Sequence, residues 1–260
     1  MATSGSKGSV DGKQKIARIV GDDMMSNSIL GLPSWATGKS ENEITTILQT
    51  SIRRRCNPPV GLEHLFVKWG SRFGIRPDVL AAISMLETDW WNFSGNVTPD
   101  MNNPAGIRCK CDEGSPDCKP GKNGTTYRTY PSLEVGIAHF SAHLYCYTHA
   151  EDRARAKRYD PCWATWYASM LQQATQYGLA PDSIDACYSM WRDGVLPPTA
   201  KGLEAIASIK RMLAEFEKDA NNMPNTPSSS SIPSWLLPVG LGVIGIAAIL
   251  SRQGGQRNGK

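Results

Sequence analysis

Hydrophobic residues recur at helical spacing over most of the chain, and capping residues mark where the predicted helices begin. Ser40 and Glu43 have the spacing of a capping box, in which each side chain accepts a hydrogen bond from the other residue's backbone. Pro77 is well placed as the first residue of a helix, because that position needs no N–H donor. We predict helices after Ser40, near Leu62, from Pro77, after Ser132, after Asp160, near Ile184 and after Thr199.

The helical spacing is lost between Trp90 and Tyr130. This stretch is rich in Asn, Gly and Pro, which favour turns, and it also holds several cysteines. The pattern predicts a long loop or a small irregular β lobe within the helical domain. Loops of this length inside a compact domain are usually functional.

The composition changes again near the C-terminal end. Residues 219–234 are rich in Asn, Pro and Ser, which indicates a flexible linker. Residues 235–250 carry no charge and begin with a tryptophan, and together with residues 232–234 they span about 28 Å as a helix. Because a bilayer core is about 30 Å thick and such segments are anchored by aromatic and cationic residues, we predict a single transmembrane helix here.

The chain is therefore predicted to be one helical domain on a C-terminal membrane stalk. Its parts are a disordered arm at 1–24, the domain at 25–218, a linker at 219–234, a transmembrane helix at 235–251 and a basic tail at 252–260. The arm lacks the uninterrupted apolar core of a secretory signal.

Charge and motifs narrow the function classes. The net charge of +4 suits an anionic partner such as a cell wall. No long basic stripe is present, so nucleic acid is not a predicted partner. The sequence contains neither a Gly-rich phosphate loop nor a His-Glu-x-x-His motif, so we predict no cofactor and no catalytic metal.

The seven cysteines leave at least one thiol unpaired within the chain. The densest group is Cys109, Cys111 and Cys118. Disulfides, free thiols and a structural zinc site with Cys146 or a histidine as a fourth ligand all remain open. The C-x-C spacing is a poor match to zinc, which usually binds paired C-x₂₋₄-C motifs.

One carboxylate, that of Glu87, falls on the apolar face of its predicted helix instead of the solvent-facing one. Glu87 lies seven residues after Leu80 and four after Ile83, which places it on the apolar face. Desolvation there favours the protonated form, and the negative end of the helix dipole acts in the same direction. A carboxylic acid that keeps its proton near neutral pH is what a glycosidase needs to protonate a departing sugar oxygen.

The residues around Glu87 leave two interpretations open. Trp90 and Trp91 follow the acid, and indole faces beside a carboxylic acid suit stacking on sugar rings. Taken singly, however, such tryptophans are more often core residues. Glu87 is equally open to a structural ion pair, with Arg108 or Arg72 as partner.

Three short blocks resemble the N-acetylglucosaminidase family of bacterial autolysins and phage wall hydrolases. Residues 81–90, AAISMLETDW, resemble the catalytic helix of that family. Residues 102–107, NNPAGI, resemble its second block. Residues 127–134, YRTYPSLE, resemble its third block, a tyrosine shortly before a helix opened by serine. The blocks occur in family order within residues 60–147.

The resemblance implies a lysozyme-like α+β fold, mainly helical, that hydrolyses the β-1,4 bond between N-acetylglucosamine and N-acetylmuramic acid. Glu87 matches the general acid of the family. Gly106 is expected to permit a tight turn beside the cleft. The residues predicted to bind substrate are Trp90, Trp91, Asn102, Asn103, Tyr127 and Tyr130.

Two departures from the family pattern bear on the mechanism. Residues 104–105, Pro-Ala, replace a pair that usually contains an aromatic residue. The cysteine-rich loop stands where the family has its second carboxylate, for which Glu113 is the candidate and Asp112 and Asp117 are the alternatives. If one of them activates a water, a carboxyl separation of roughly 6.5–9.5 Å and inversion are expected. Otherwise the substrate's own acetamide group is expected to act in place of this second carboxylate.

Three function hypotheses remain. The first is a peptidoglycan N-acetylglucosaminidase, the second a lytic transglycosylase of the same fold, and the third a glycan-binding membrane protein that no longer cleaves. The expected partners are peptidoglycan strands and, through residues 235–251, a lipid bilayer. The expected location is a membrane with the catalytic domain facing the wall, and a virion-associated protein is one way to reconcile that location with the missing leader.

Overall fold

A computed structural model describes residues 27–109, 117–149 and 164–223 of the protein. These residues form seven α-helices and one two-stranded sheet. The helices are α1 (Glu41–Arg53), α2 (Leu62–Phe73), α3 (Pro77–Glu87), α4 (Leu133–Thr148), α5 (Ala164–Gln176), α6 (Ile184–Arg192) and α7 (Ala200–Asn222). The strands are β1 (Cys118–Pro120) and β2 (Thr126–Arg128). The predicted mainly helical α+β class is thereby confirmed.

The predicted helix starts are confirmed where the structure describes them. Ser40 and Glu43 form the complete capping box at the start of α1. Pro77 is the first residue of α3. Ser132 and Thr199 cap α4 and α7 by accepting hydrogen bonds from backbone N–H groups in the first turn. The predicted cap at Asp160 lies outside the described residues.

Helix α3 lies at the centre of the helical core. It packs against α2 and α7, and every residue from Pro77 to Met85 is buried. Asp78 is fully buried because Arg76 binds its carboxylate, with an Nη2–Oδ2 distance of 2.8 Å. A helix covered on all sides holds its last residue, Glu87, in a position that neighbouring elements determine.

Helix α7 is longer than the sequence pattern indicated. It continues to Asn222, so residues 219–222, which were predicted as the start of the linker, are helical. Asp219 is buried and accepts hydrogen bonds from Arg54 and Arg55, each at 2.7 Å. These pairs fix the end of α7 to the end of α1. The described residues all belong to one compact unit, which ends at Met223.

The stretch without helical spacing forms a small β lobe, defined here as residues 92–109 and 117–130. Strands β1 and β2 pair antiparallel, with Lys119 opposite Tyr127. A disulfide joins Cys109 and Cys118. At these two cysteines the structure therefore has a disulfide, not free thiols or a zinc site, and Cys146 is buried in the helical core.

The described helices include none with the length and apolar character needed to cross a bilayer. The predicted arm at 1–24 and the predicted transmembrane helix at 235–251 lie outside the described residues. The membrane partner and the location therefore stay predictions.

Candidate active site

The end of α3 is built by a tight, left-handed turn that follows Glu87 directly. Thr88 is buried, and its hydroxyl donates to the carbonyl of Ser84 and accepts from the amide of Trp91. Asp89, Trp90 and Trp91 all have positive φ angles, between 52° and 66°. Non-glycine residues rarely adopt this conformation, and runs of it are found where surrounding structure enforces them, often at functional sites.

Hydrogen bonds join the three sequence blocks into one structure. The buried hydroxyl of Ser84 in the first block donates to the carbonyl of Pro104 in the second, at 2.6 Å. The amide of Asn102 donates to the carbonyl of Tyr130 in the third block, at 2.9 Å. Asn103 bonds both the carbonyl of Arg128 and the backbone of its own block. The blocks are therefore held together by buried polar contacts.

A cleft of about 850 Å³ opens in front of Glu87. Its helical side is formed by Tyr188 and by residues 190–194, at and just after the end of α6. Its lobe side is formed by Gly95–Val97, Gly106–Cys109, Thr125 and Tyr127. Leu86, Glu87 and His143 complete the lining from α3 and α4.

Glu87 is hydrogen-bonded from the helical side. The Tyr188 hydroxyl donates to Oε1 of Glu87 at 2.6 Å. Desolvation of the carboxyl group raises the pKa of Glu87, and the Tyr188 hydrogen bond and the charges of Arg192 and Arg108 counter only part of that rise. Burial and the neighbouring Glu87 raise the pKa of Tyr188, so its hydroxyl keeps the proton that it donates. Among the described residues no cation forms an ion pair with Glu87.

Gly106 faces the other carboxyl oxygen. Its φ of 63° is the left-handed value expected for a tight turn, and a Cβ at this position would lie 3.6 Å from Oε2 of Glu87. The absence of a side chain leaves space directly in front of Oε2. The two oxygens therefore differ, because Oε1 accepts from Tyr188 while Oε2 faces Gly106.

The structure does not bring all predicted substrate-binding residues to the cleft. Trp91 is 8% exposed and packs in the main core, with an edge contact to Phe93, and Trp90 packs partly buried against the same core. Neither indole lines the cleft. The left-handed turn after Glu87 is the physical reason, because it directs the chain back against the helices.

The two asparagines also act within the protein. Asn103 is 1% exposed, and its side chain holds the Gly106–Ile107 turn by bonding the Ile107 amide and carbonyl. Asn102 has a left-handed backbone and bonds the Tyr130 carbonyl. Their side chains shape the lobe side of the cleft from behind and do not line it.

The predicted tyrosines and second carboxylates occupy different places. Tyr127 lines the cleft. The Tyr130 hydroxyl is 2.8 Å from Nδ1 of His139, away from the lining residues. Asp117 is exposed and does not line the cleft. Glu113 and Asp112 lie outside the described residues.

Sequence reasoning did not identify the helical side of the cleft. Tyr188 was assigned only to a short helical segment, and 101 positions separate it from Glu87. The same segment supplies Trp191, Arg192 and Asp193 to the cleft. The available signal was the cluster of aromatic and charged residues at the end of α6. Helical spacing alone does not distinguish such a cluster from ordinary core and surface positions.

Besides Glu87, the cleft lining contains one buried imidazole, that of His143. The described ranges contain no group of three or more His, Cys, Asp or Glu side chains suited to hold a metal ion. His143 is buried in the lining beside Trp191, with ring centroids 4.9 Å apart, and burial lowers its pKa well below the usual value. His143 is therefore neutral near pH 7, whereas the pKa of Glu87 is raised above its ordinary value.

Comparison with known proteins identifies one family. A family model described as Glucosaminidase, mannosyl-glycoprotein endo-beta-N-acetylglucosaminidase, matches residues 63–192, which is half of the 260-residue chain. The matched region runs from α2 to the end of α6 and includes all three blocks, Glu87 and Tyr188. Searches of the curated proteins and of the solved structures found no match.

Proposed function

Because the chain belongs to the mannosyl-glycoprotein endo-beta-N-acetylglucosaminidase family, we propose that its cleft cleaves the β-1,4 glycosidic bonds of peptidoglycan strands, with Glu87 as general acid. Family membership supports a peptidoglycan hydrolase in general, and the particular bond is the proposal. The observation that carries it is a desolvated carboxyl group with a raised pKa, oriented by Tyr188 in a cleft large enough for a glycan.

The two oxygens of Glu87 have separate roles in this mechanism. Oε1 accepts the Tyr188 hydrogen bond, which leaves Oε2 to carry the acidic proton. Oε2 faces the space beside Gly106, where a glycosidic oxygen would be held. As the bond between C1 and that oxygen breaks, the proton passes from Oε2 to the leaving sugar, and Glu87 becomes a carboxylate that Tyr188, Arg192 and Arg108 stabilise.

The second half of the reaction requires a nucleophile at C1. Hydrolysis uses a water, whose proton passes to a base, and Glu113 is the proposed base, with Asp112 and Asp117 as alternatives. If none of them serves, the acetamide oxygen of the substrate attacks C1 before water does. Asp193 is the other carboxylate among the described lining residues, but Thr199 and Arg192 already bind it.

The raised pKa sets the expected pH dependence. Glu87 is active while protonated, so its contribution is complete below its folded pKa and is lost as the pH rises through that value. Because burial moves that pKa above the ordinary 4.5, the alkaline loss of activity is expected at higher pH than for an exposed glutamate.

The test compares full-length wild type with Glu87→Gln and with Glu204→Gln, which removes an exposed carboxylate on α7. Each protein is incubated with peptidoglycan, and the released fragments are identified by mass spectrometry. We expect wild type and Glu204→Gln to release fragments ending in reducing N-acetylglucosamine, and Glu87→Gln to lose at least about 10³-fold in rate.

Other outcomes separate the remaining hypotheses. Anhydromuramyl ends would assign the protein as a lytic transglycosylase. If wild type and both variants release no fragments although they are folded and still bind the wall, an enzymatic role is refuted and a glycan-binding module is favoured. Full activity of Glu87→Gln would reject Glu87 as the acid.

A further inference from the structure

The cleft lining contains both guanidinium and carboxyl groups. Its described lining contains two guanidinium groups, Arg108 and Arg192, and two carboxyl groups, Glu87 and Asp193. Asp193 pairs with Arg192, and Glu87 accepts its hydrogen bond from Tyr188. Neither carboxyl group therefore pairs with Arg108, and a cation without a paired carboxylate in a cleft favours an anionic ligand over a neutral one.

The two arginines differ in what they already bind. Arg192 lies 3.5 Å from Asp193, measured from Nε to Oδ1, and its Nη1 donates to the carbonyl of Lys201 at 3.1 Å. Arg108 is exposed, and its guanidinium forms no hydrogen bond or ion pair within the described part of the chain. The positive charge available to a ligand is therefore that of Arg108.

The backbone of Arg108 is held in a defined position. Its neighbours Ile107 and Cys109 bond strand β2, with the Cys109 amide donating to Thr126 and the Arg128 amide donating to Ile107. Arg108 itself forms a bridge with Tyr127, and the disulfide fixes the next residue. Because the backbone is already fixed, binding a ligand needs to order only the side chain of Arg108.

Arg108 also lies close to the proposed point of cleavage. It is two residues from Gly106, which faces Oε2 of Glu87. Two residues of a chain span at most about 7 Å, so the two Cα atoms are no farther apart than that. A group bound by Arg108 would therefore belong to a sugar at or next to the bond that Glu87 protonates.

We propose that Arg108 binds a carboxylate of the peptidoglycan strand and so selects this substrate over neutral β-1,4 glycans. This proposal rests on the proposed function. A guanidinium binds a carboxylate through two parallel hydrogen bonds, which gives both affinity and orientation. Chitin oligomers carry no carboxylate. A peptidoglycan strand supplies one from the lactyl group when the stem peptide is removed, and from the stem peptide when it is present.

The test measures binding, so that it does not depend on turnover. Full-length protein carrying Glu87→Gln is titrated with three glycans, namely peptide-free strands, strands with stem peptides, and chitin oligomers. Arg108→Ala, Arg108→Lys and, as a matched control for lost charge, Arg211→Ala are added to this background. Arg211 is exposed on α7, and its guanidinium bonds Ser208 of the same helix.

We expect Arg108→Ala to reduce the preference for carboxylate-bearing strands over chitin about tenfold, which is the typical effect of losing a charge-assisted pair. Arg108→Lys should retain part of the preference because it keeps the charge, and Arg211→Ala should retain all of it. The preference of the Arg108-containing protein should also fall with added salt.

The outcomes are distinguishable. Loss of preference for peptide-free strands alone identifies the lactyl carboxylate, and loss for peptide-bearing strands alone identifies the stem peptide. An unchanged preference in Arg108→Ala, or an equal effect of Arg211→Ala, would refute the proposal. Because Glu87→Gln does not need to cleave, these results are independent of whether the wild-type protein proves to be a hydrolase.

Discussion

The two sides of the cleft are stabilised in different ways. The helical side belongs to α6, which packs against α4, α5 and α7, and its Tyr188 and Met190 are almost fully buried. The lobe side has a separate small cluster of three buried apolar residues, Val97, Met101 and Tyr127. Beyond that cluster it depends on a disulfide, buried amide hydrogen bonds and contacts from Lys122 to the carbonyls of Phe93 and Ser94.

The difference matches the division of chemical roles. The hydrogen bond that orients Glu87 comes from the side with the large core, where packing leaves a side chain little freedom. The cation that faces a substrate, Arg108, comes from the side with few apolar contacts. Local stability follows buried contacts, so the lobe side is expected to open at lower free energy than the helical side.

The largest expected effect comes from filling the space where the lobe meets the helical core. Gly136 in α4 is buried, and a Cβ there would overlap the Asn102 carbonyl and lie 3.0 Å from Cδ of Pro104. Gly136→Ala should therefore lower the free energy of unfolding by about 3 kcal/mol. Urea denaturation measures this change.

Gly95→Ala is the matched control, since Gly95 lies on the lobe side and a Cβ there has no heavy atom within 4 Å. It should change stability by less than about 0.5 kcal/mol. Equal effects of the two substitutions would show that the lobe does not depend on its packing against α4.

The next effect concerns the covalent support of the lobe side. Replacing Cys109 and Cys118 by serine opens a short loop, and disulfides of this kind contribute about 2–3 kcal/mol. We expect hydrogen exchange to accelerate at the amides of β2, while the amides of α6 keep their protection. Cys56→Ser, which removes a free thiol, is the control. Equal loss of protection in α6 would mean that the two sides unfold as one unit.

The smallest expected effect concerns the helical side. Tyr188→Phe removes the hydrogen bond to Glu87 without changing the packing, and the rate should fall about tenfold, or about 1.4 kcal/mol. Because that bond lowers the pKa of Glu87, its removal should raise the pKa and move the alkaline loss of activity to higher pH. The pH profile of kcat/KM measures both changes.

Tyr145→Phe, on the outer side of α4 against Phe73 and His149, is the control and should leave the pH profile in place. If Tyr188→Phe lowers kcat/KM but leaves the pH of the alkaline loss unchanged, a positioning role is contradicted and only a packing defect is indicated.

Part of the site could be predicted from neighbouring residues alone. The position of Glu87 on an apolar helix face follows from the spacing to Leu80 and Ile83, and burial does raise its pKa. The assignment of Trp90 and Trp91 to the cleft relied on adjacency in sequence. Adjacency was insufficient because the backbone turns left-handed at both residues, and Trp91 packs in the core.

The sequence by itself determined the starts of the helices, the interruption between Trp90 and Tyr130 and the unusual placement of one carboxylate. These features depend on capping, turn residues and periodicity, which act over one or two turns. Only the tertiary structure decided that Tyr188 would meet Glu87 and that Arg108 would face the same cleft. Those contacts join segments far apart in the chain. They depend on tertiary packing such as that of α3 and α6 against α7, which no local pattern encodes.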